Sequence, residues 1–201
     1  MENKQQNARS SARSERRKPR KATAQSLRNA ALFYLQRYAT SAENLRRVLK
    51  RRVERAALEY GSDVQEGAGF VNEIIIRYRE TGLLDDLVYA KAQTQSLRRR
   101  GNSLRMIFAR LQAKGVARED IELALTELDL SVTDADLSAA IIIARRRRFG
   151  PWRLSDRADR RMRDLAALAR RGFSYAVSKQ VIDAESAAHL EELLSVQSST
   201  K

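Results

Sequence analysis

The stretch from Asp85 to Leu128 constrains the fold most, because its apolar residues recur at three- and four-residue steps. That spacing is typical of one face of an α-helix. It predicts three short helices, whose apolar positions are Leu87, Ala90 and Leu97, then Leu104, Ile107, Phe108 and Leu111, then Ile121, Ala124, Leu125 and Leu128. Gly101 and Gly115 each follow basic residues, as at a helix C-terminus. Ser103 is placed to cap the second helix.

The same pattern occurs elsewhere in the chain. Near the C-terminus, residues 168–173 match residues 111–116, so that Arg171-Gly172 falls on Lys114-Gly115. Near the N-terminus, Ser41 falls on Ser103. Repetition of this kind indicates tandem units, each of which buries its apolar face against a neighbour. We therefore expect an elongated, all-α protein built from three three-helix units.

The expected boundaries follow from these matches. Residues 1–23 form a disordered basic tail, and residues 24–84 form repeat 1, interrupted by an acidic, glycine-rich loop insertion at 61–69. Repeat 2 covers residues 85–130 and repeat 3 covers residues 133–194. Residues 195–201 form a frayed C-terminus.

The charge of the chain is strongly positive, with 39 Lys and Arg against 25 Asp and Glu, a net charge of +14. The chain has no cysteine, which fits a reducing compartment and removes disulfide chemistry. No apolar run approaches the roughly 20 residues that span a bilayer. Because the N-terminus is polar, no secretory signal is expected, and the predicted location is the cytoplasm.

The tail at residues 1–23 carries eight Lys or Arg and two Glu. With so few apolar side chains, it cannot offset the entropy of ordering. One interpretation is an arm that meets phosphates, and the other is a solubilising tail.

Few residues of the chain suggest catalysis or metal binding. Asp85 and Asp86 could bind a metal or act as acid and base, but the better interpretation is that one caps the next helix and the other favours its positive end. His189 is the single histidine, so no histidine-based metal site or Ser-His couple is expected. The loop at 61–69 lacks the Lys-Ser/Thr of a phosphate loop. We expect no enzyme activity and no cofactor.

Arginine and lysine cluster at the ends of the predicted helices. Equivalent helix ends of a repeat protein recur at a regular spacing, so these cations are expected to form a basic stripe for a long anionic partner. The candidates are Arg46, Arg47, Lys50, Arg51, Arg98, Arg99, Arg100, Arg145, Arg146, Arg147, Arg148, Arg160 and Arg161. The alternative is a set of ordinary solvated faces. Four successive helical positions span about 300°, so at least one residue of Arg145–Arg148 is expected to face the core.

The order and spacing of several motifs resemble those of the RecX family. The residues that carry the resemblance are Gly82, Asp85, Asp86 and Tyr89, then Gly115 of the second repeat, then Gly172 and Phe173 of the third. The resemblance extends over roughly residues 24–184. The sequence departs from the family pattern in Leu83, where an aromatic residue is usual, in the insertion at 61–69 and in the long basic tail.

This resemblance implies a curved chain of three-helix units that regulates the RecA recombinase. Members of the family bind in the groove of the RecA–single-stranded DNA filament and modulate its ATPase, recombinase and co-protease activities in DNA repair and the SOS response. The implied partners are RecA and single-stranded DNA, with double-stranded DNA left open, and the free protein is expected to be a monomer. The alternative is a stand-alone nucleic-acid-binding protein without sequence preference.

Overall fold

The structure, a computed structural model, describes residues 18–129 and 135–198. These residues contain ten α-helices, one 3-10 turn and no strand, which confirms the all-α fold class. The helices are α1 (Ala24–Leu35), α2 (Ala42–Tyr60), α3 (Val64–Glu80), α4 (Asp86–Arg99), α5 (Leu104–Ala113), α6 (Arg118–Asp129), α7 (Ala135–Arg147), α8 (Arg157–Ala169), α9 (Tyr175–Ile182) and α10 (Ala187–Ser198), with the 3-10 turn at Gly150–Trp152. Over the described ranges, no helix combines the length and apolar character needed to cross a membrane.

The chain divides into two compact units. The described part of unit 1 comprises residues 18–38 and 45–77. Unit 2 comprises residues 39–44 and the described residues from 78 onward, so it contains the first turn of α2 and all helices from α4 to α10. Predicted repeats 2 and 3 therefore lie in one compact unit. The repeat boundaries and the elongated, curved shape stay predictions.

Two apolar cores lie within unit 2. Helices α4, α5 and α6 enclose Ala90, Ile107, Leu111 and Ile121. Helices α7, α8, α9 and α10 enclose a second core, with Phe173 buried in it and Trp152 packed against it. Trp152 is therefore a packing residue. The second core uses four helices instead of three, because α10 also packs against α7.

The predicted caps of unit 2 are confirmed. The side chains of Asp85 and Ser103 accept hydrogen bonds from the N–H groups of Val88 (2.9 Å) and Met106 (3.1 Å). The helix-ending glycines adopt positive φ, which costs glycine little. Their φ angles are 70° at Gly82, 73° at Gly101, 76° at Gly115 and 86° at Gly172.

Helix α7 ends differently, because an arginine occupies its left-handed position. Arg148 has φ 55°, and its N–H donates to the carbonyl of Arg145 (3.2 Å). The next N–H, of Phe149, donates to the carbonyl of Ala144 (2.8 Å). This is the Schellman pattern that Gly115 forms at the end of α5. The prediction that Arg145–Arg148 extend through four helical positions and turn one arginine toward the core is wrong, since all four are exposed.

The predicted loop insertion at 61–69 is also wrong beyond its first residues. Helix α3 begins at Val64, so residues 64–69 are helical. Gly67 is buried, and a Cβ atom at this position would lie 2.4 Å from Cγ1 of Val53. The glycine is thus explained by the close approach of α3 to α2. The sequence pattern had suggested a flexible loop instead.

Several apolar residues of α1, of α2 and of the turn after α1 are exposed. Leu58 is 88% exposed, because it lies about 200° around α2 from the buried Ala56. Leu32 is exposed on α1. Tyr38 is exposed too, since α1 ends at Leu35.

The predictions for the termini are partly wrong. Residues 18–23 of the predicted disordered tail are described and contact the rest of unit 1, for example through a hydrogen bond from Tyr60 Oη to the carbonyl of Pro19 (2.6 Å). At the other end, α10 extends to Ser198 instead of fraying from residue 195. The remaining parts of these predictions, at residues 1–17 and 199–201, lie outside the described residues, as do residues 130–134.

The N-terminus of α2 is fastened by two side-chain contacts within unit 2. Ser41 caps the helix, accepting from the N–H of Asn44 (3.2 Å), and its hydroxyl donates to the carbonyl of Lys114 at the end of α5 (2.5 Å). The N–H of Ala42 donates to Oδ1 of Asp86 (2.8 Å). Asp86 therefore does more than favour the start of its own helix.

The N-terminus of α5 is fastened in the same way, by contacts with later parts of unit 2. Ser103 caps α5 and donates to the carbonyl of Arg171 at the end of α8 (2.7 Å). The N–H of Leu104 donates to Oδ1 of Asp136, in the first turn of α7 (2.9 Å). We call these two sets of contacts junctions. At each junction a serine donates to the carbonyl of a basic residue that precedes a helix-ending glycine, and a helix N–H donates to an aspartate.

We predict that Asp86→Ala lowers the free energy of unfolding by about 2–3 kcal/mol, because the buried N–H of Ala42 loses its acceptor. The side chain of Asp86 is 5% exposed and also accepts from Arg79 (2.8 Å), whose charge would lose its partner. Asp86→Asn, which keeps an acceptor oxygen, should cost less. Urea unfolding followed by circular dichroism measures both, with Glu80→Ala as the exposed control. Equal unfolding midpoints for Asp86→Ala and the control would contradict the proposed role of Asp86 as the acceptor for the N–H of Ala42.

We predict that Arg148→Gly raises the free energy of unfolding by about 1 kcal/mol, since it removes the penalty of a side chain in the left-handed region. Arg147→Gly is the matched control: this residue is helical, so glycine there should cost about 1 kcal/mol. Urea unfolding followed by the fluorescence of Trp152 tests both. Two changes of the same sign would show that the backbone of Arg148 is unstrained.

Candidate nucleic-acid interface

The ends of α4 and α7 meet at the surface of unit 2. Nη2 of Arg146 donates to the carbonyl of Arg100 (3.3 Å), which joins the arginines at the end of α7 to those at the end of α4. Both side chains are exposed. Two of the predicted basic segments are therefore neighbours in space.

The turn between α8 and α9 brings a further arginine to this place. Gly172, next to Arg171, lies so close to the start of α5 that an added Cβ would be 2.5 Å from Oγ of Ser103. With the bond from Ser103 to the carbonyl of Arg171, this contact fixes the turn against α5. Arg171 is half-buried there.

Arg171 lies among cations. Burial lowers the pKa of its guanidinium, and the positive charges of Arg147, Arg146 and Arg110 lower it further. The guanidinium remains charged, since arginine stays protonated in proteins. The three neighbouring arginines thus disfavour the positive charge of Arg171, in addition to the effect of burial. An anion bound here would relieve the repulsion.

We call Arg100, Arg110, Arg146, Arg147 and Arg171 the junction cluster. Guanidinium groups offer paired donors that match phosphate oxygens, and exposed ones are free to reorient. The first turn of α5 adds little to anion binding, because the N–H groups of Leu104 and Met106 are already bound to Asp136 and Ser103. The binding capacity of this surface therefore resides in its side chains.

Two of the predicted stripe residues form ion pairs with aspartates of unit 2. Nη1 of Arg98 donates to Asp136 (2.8 Å) and to the carbonyl of Asn102 (3.1 Å), and its side chain is 13% exposed. Arg161 forms two 2.7 Å bonds with Asp183, which raise the pKa of Arg161 and lower that of Asp183. Both guanidinium groups hold helices together, so they are poor candidates for phosphate contacts.

The other predicted residues are mostly exposed. In unit 2 these are Arg99, Arg100, Arg145, Arg146, Arg147, Arg148 and Arg160. In unit 1, α2 carries Arg47, Lys50 and Arg51, which are exposed, and Arg46, which is half-buried. Sequence analysis missed Arg110 and Arg171 as members of the cluster. The match of Arg171 to Lys114 was a usable signal, whereas Arg110 had none.

The residues of the family motif have structural roles. Tyr89 packs against the core of α4–α6, and Phe173 is buried in the core of α7–α10. Within the part of the chain that the structure describes, no group of three or more acidic or histidine side chains could hold a metal ion.

The sequence of the chain is similar to those of known proteins. Residues 85–125 match the family profile described as "RecX, second three-helix domain". The chain is 41% identical over 173 residues to the regulatory protein RecX of Myxococcus xanthus, covering 85% of this chain and 91% of that protein. It is 34% identical over 170 residues to the regulatory protein RecX of Agrobacterium fabrum, covering 84% of this chain and 87% of that protein.

Solved structures share the fold. A crystal structure of regulatory protein RecX aligns with a TM-score of 0.55 at 21% identity, over 80% of this chain and 71% of that one. The crystal structure of RecX from Lactobacillus salivarius aligns with a TM-score of 0.55 at 19% identity, over 84% of this chain and 97% of that one. Since the Myxococcus xanthus relative is matched over nearly its whole length, the chain belongs to the RecX family of regulatory proteins.

Proposed function

We propose that this chain regulates the RecA recombinase by binding in the groove of the RecA–single-stranded DNA filament. In this proposal it modulates or inhibits the ATPase, recombinase and co-protease activities of RecA, and so acts in DNA repair and the SOS response. Membership of a family of regulatory proteins supports a regulatory role. The observation that carries the proposal is the junction cluster, where four elements of unit 2 present cations to one surface.

The physical basis of the proposed contact is charge. A nucleoprotein filament presents phosphates at regular spacing, and arginines that neutralise phosphates release condensed counterions. Arg146 and Arg147 are exposed at the end of α7 and repel Arg171, so binding of phosphate would remove an existing repulsion. We propose Arg47, Lys50 and Arg51 of α2 as a second set of contacts.

The proposed mode of action is binding without chemistry. A protein that occupies the filament groove restrains the protomers that must move during ATP hydrolysis, so binding alone can regulate. The proposal requires no cofactor. We place this action in the cytoplasm and take the free protein to be a monomer.

The second candidate function is a stand-alone nucleic-acid-binding protein. The same cluster favours it, because phosphate contacts alone provide affinity without sequence preference. The two functions differ in one measurable respect. A filament regulator acts on RecA at near-equal or lower ratios, whereas a stand-alone binder affects RecA only by covering the DNA.

We predict that Arg146→Glu with Arg147→Glu weakens binding to the RecA filament by about tenfold or more, since two charge-assisted contacts become repulsive. Slowing of the RecA ATPase should shift to correspondingly higher protein concentrations. Binding is measured by fluorescence anisotropy of filaments on labelled oligonucleotide, and hydrolysis by phosphate release.

The control is Arg118→Glu with Lys179→Glu, an equal change of charge at exposed positions of unit 2 outside the cluster. It should behave as the wild-type chain. If the wild-type chain leaves the ATPase unchanged at every ratio yet binds free DNA, the stand-alone function replaces the proposal. If both double variants lose binding equally, net charge and not the junction cluster is responsible.

A further inference from the structure

Unit 1 contains a cleft of its own, remote in sequence from the junction cluster. It lies between residues 18–23, helix α1 and the second half of α2, and has a volume of about 450 Å³. This volume is within the usual range of ligand sites, about 300–1,000 Å³.

One wall of the cleft is the segment 18–23, which side chains of α1 and α2 hold in place. Oη of Tyr60 donates to the carbonyl of Pro19 (2.6 Å), and Nζ of Lys18 lies 3.1 Å from Oε1 of Glu59. Oγ of Ser26 donates to the carbonyl of Lys21 (2.5 Å). The wall is therefore anchored at both of its ends.

The charge of the cleft has one sign. Its lining includes Arg20, Lys21, Arg52 and Arg55, and no acidic residue is among the residues that line it. Arg52 and Arg55 are three residues apart on α2, so their side chains share a face. Like charges on one face repel each other, which an anionic ligand would relieve.

An aromatic ring lies beside these cations. Phe33 lines the cleft and remains 51% exposed, and the guanidinium carbon of Arg37 lies 4.4 Å from its ring centroid. A basic groove with an exposed aromatic ring is the combination by which proteins bind single-stranded nucleic acid, because the cations follow the phosphates and the ring stacks on a base.

We propose that this cleft binds a segment of single-stranded nucleic acid, with phosphates on Arg52 and Arg55 and a base stacked on Phe33. The site is independent of RecA and of the junction cluster. The chain's own residues 1–17 are a poor occupant, since they carry five Lys or Arg against two Glu. An acidic protein segment would match the charge but would leave the exposed part of the Phe33 ring in water.

The test uses the full-length chain and a fluorescent oligothymidylate without RecA. Arg52→Glu should weaken binding about tenfold and reduce the slope of log affinity against log salt by about 0.7, the value of one phosphate contact on a single strand. Phe33→Ala should weaken binding about fivefold and leave that slope unchanged, because stacking releases no counterions.

The matched control is Arg28→Glu, an equal change of charge at an exposed position of α1 that does not line the cleft. It should retain most of the affinity. Circular dichroism of each variant establishes that it is folded. Equal losses for Arg28→Glu and Arg52→Glu would overturn the proposal.

Photo-cross-linking gives a second readout that does not depend on the variants. An oligothymidylate carrying 5-iodouracil should label the peptide that contains Phe33. Labelling confined to unit 2 would overturn the proposal. So would binding of a polyglutamate of equal charge as tightly as the oligonucleotide, since that result would assign the cleft to an acidic protein.

Discussion

The contact on which unit 2 depends is the acceptance of a helix N–H by a carboxylate from a later helix. The first N–H groups of any helix have no partner inside that helix, and burial without one is costly. Asp86 supplies the acceptor for Ala42, and Asp136 supplies it for Leu104. Each of these helix starts is therefore complete only when the later helix has folded. Such a dependence couples helices that are distant in the chain and explains why the predicted repeats 2 and 3 form one compact unit.

The same junctions place positive charge at the surface. Ser41 and Ser103 each donate to the carbonyl of a basic residue that ends a helix, Lys114 in one case and Arg171 in the other. A cation is favourable there in any case, because it faces the negative end of the helix dipole. Folding thus brings basic side chains to each junction without a dedicated binding loop. The junction at Ser103 and Arg171 differs from the other in the number of arginines that converge on it. That number is larger than is needed to balance the negative end of one helix dipole.

The sequence was sufficient where the cause is local. Caps such as Asp85 and Ser103 act within three residues, so their pattern predicts their role. The sequence was insufficient where the cause is distant in the chain. Residue 67 is a glycine because Val53 approaches it, and the acceptors of Ala42 and Leu104 are 44 and 32 residues away. For the same reason the arginines could be recognised as candidates, but their grouping around Arg171 could not be derived without the fold.

The two basic surfaces differ in what they are built to contact. The junction cluster consists of guanidinium groups, so in the proposed function its affinity for a nucleic acid depends on phosphate geometry and not on whether bases are exposed. The cleft of unit 1 adds Phe33, which gains energy only from an unpaired base or another flat group. A single strand satisfies both requirements, whereas a duplex satisfies only the first, because its bases are stacked inside. In our proposals, the exposed aromatic ring of the unit 1 cleft is therefore the feature that favours single-stranded over double-stranded nucleic acid.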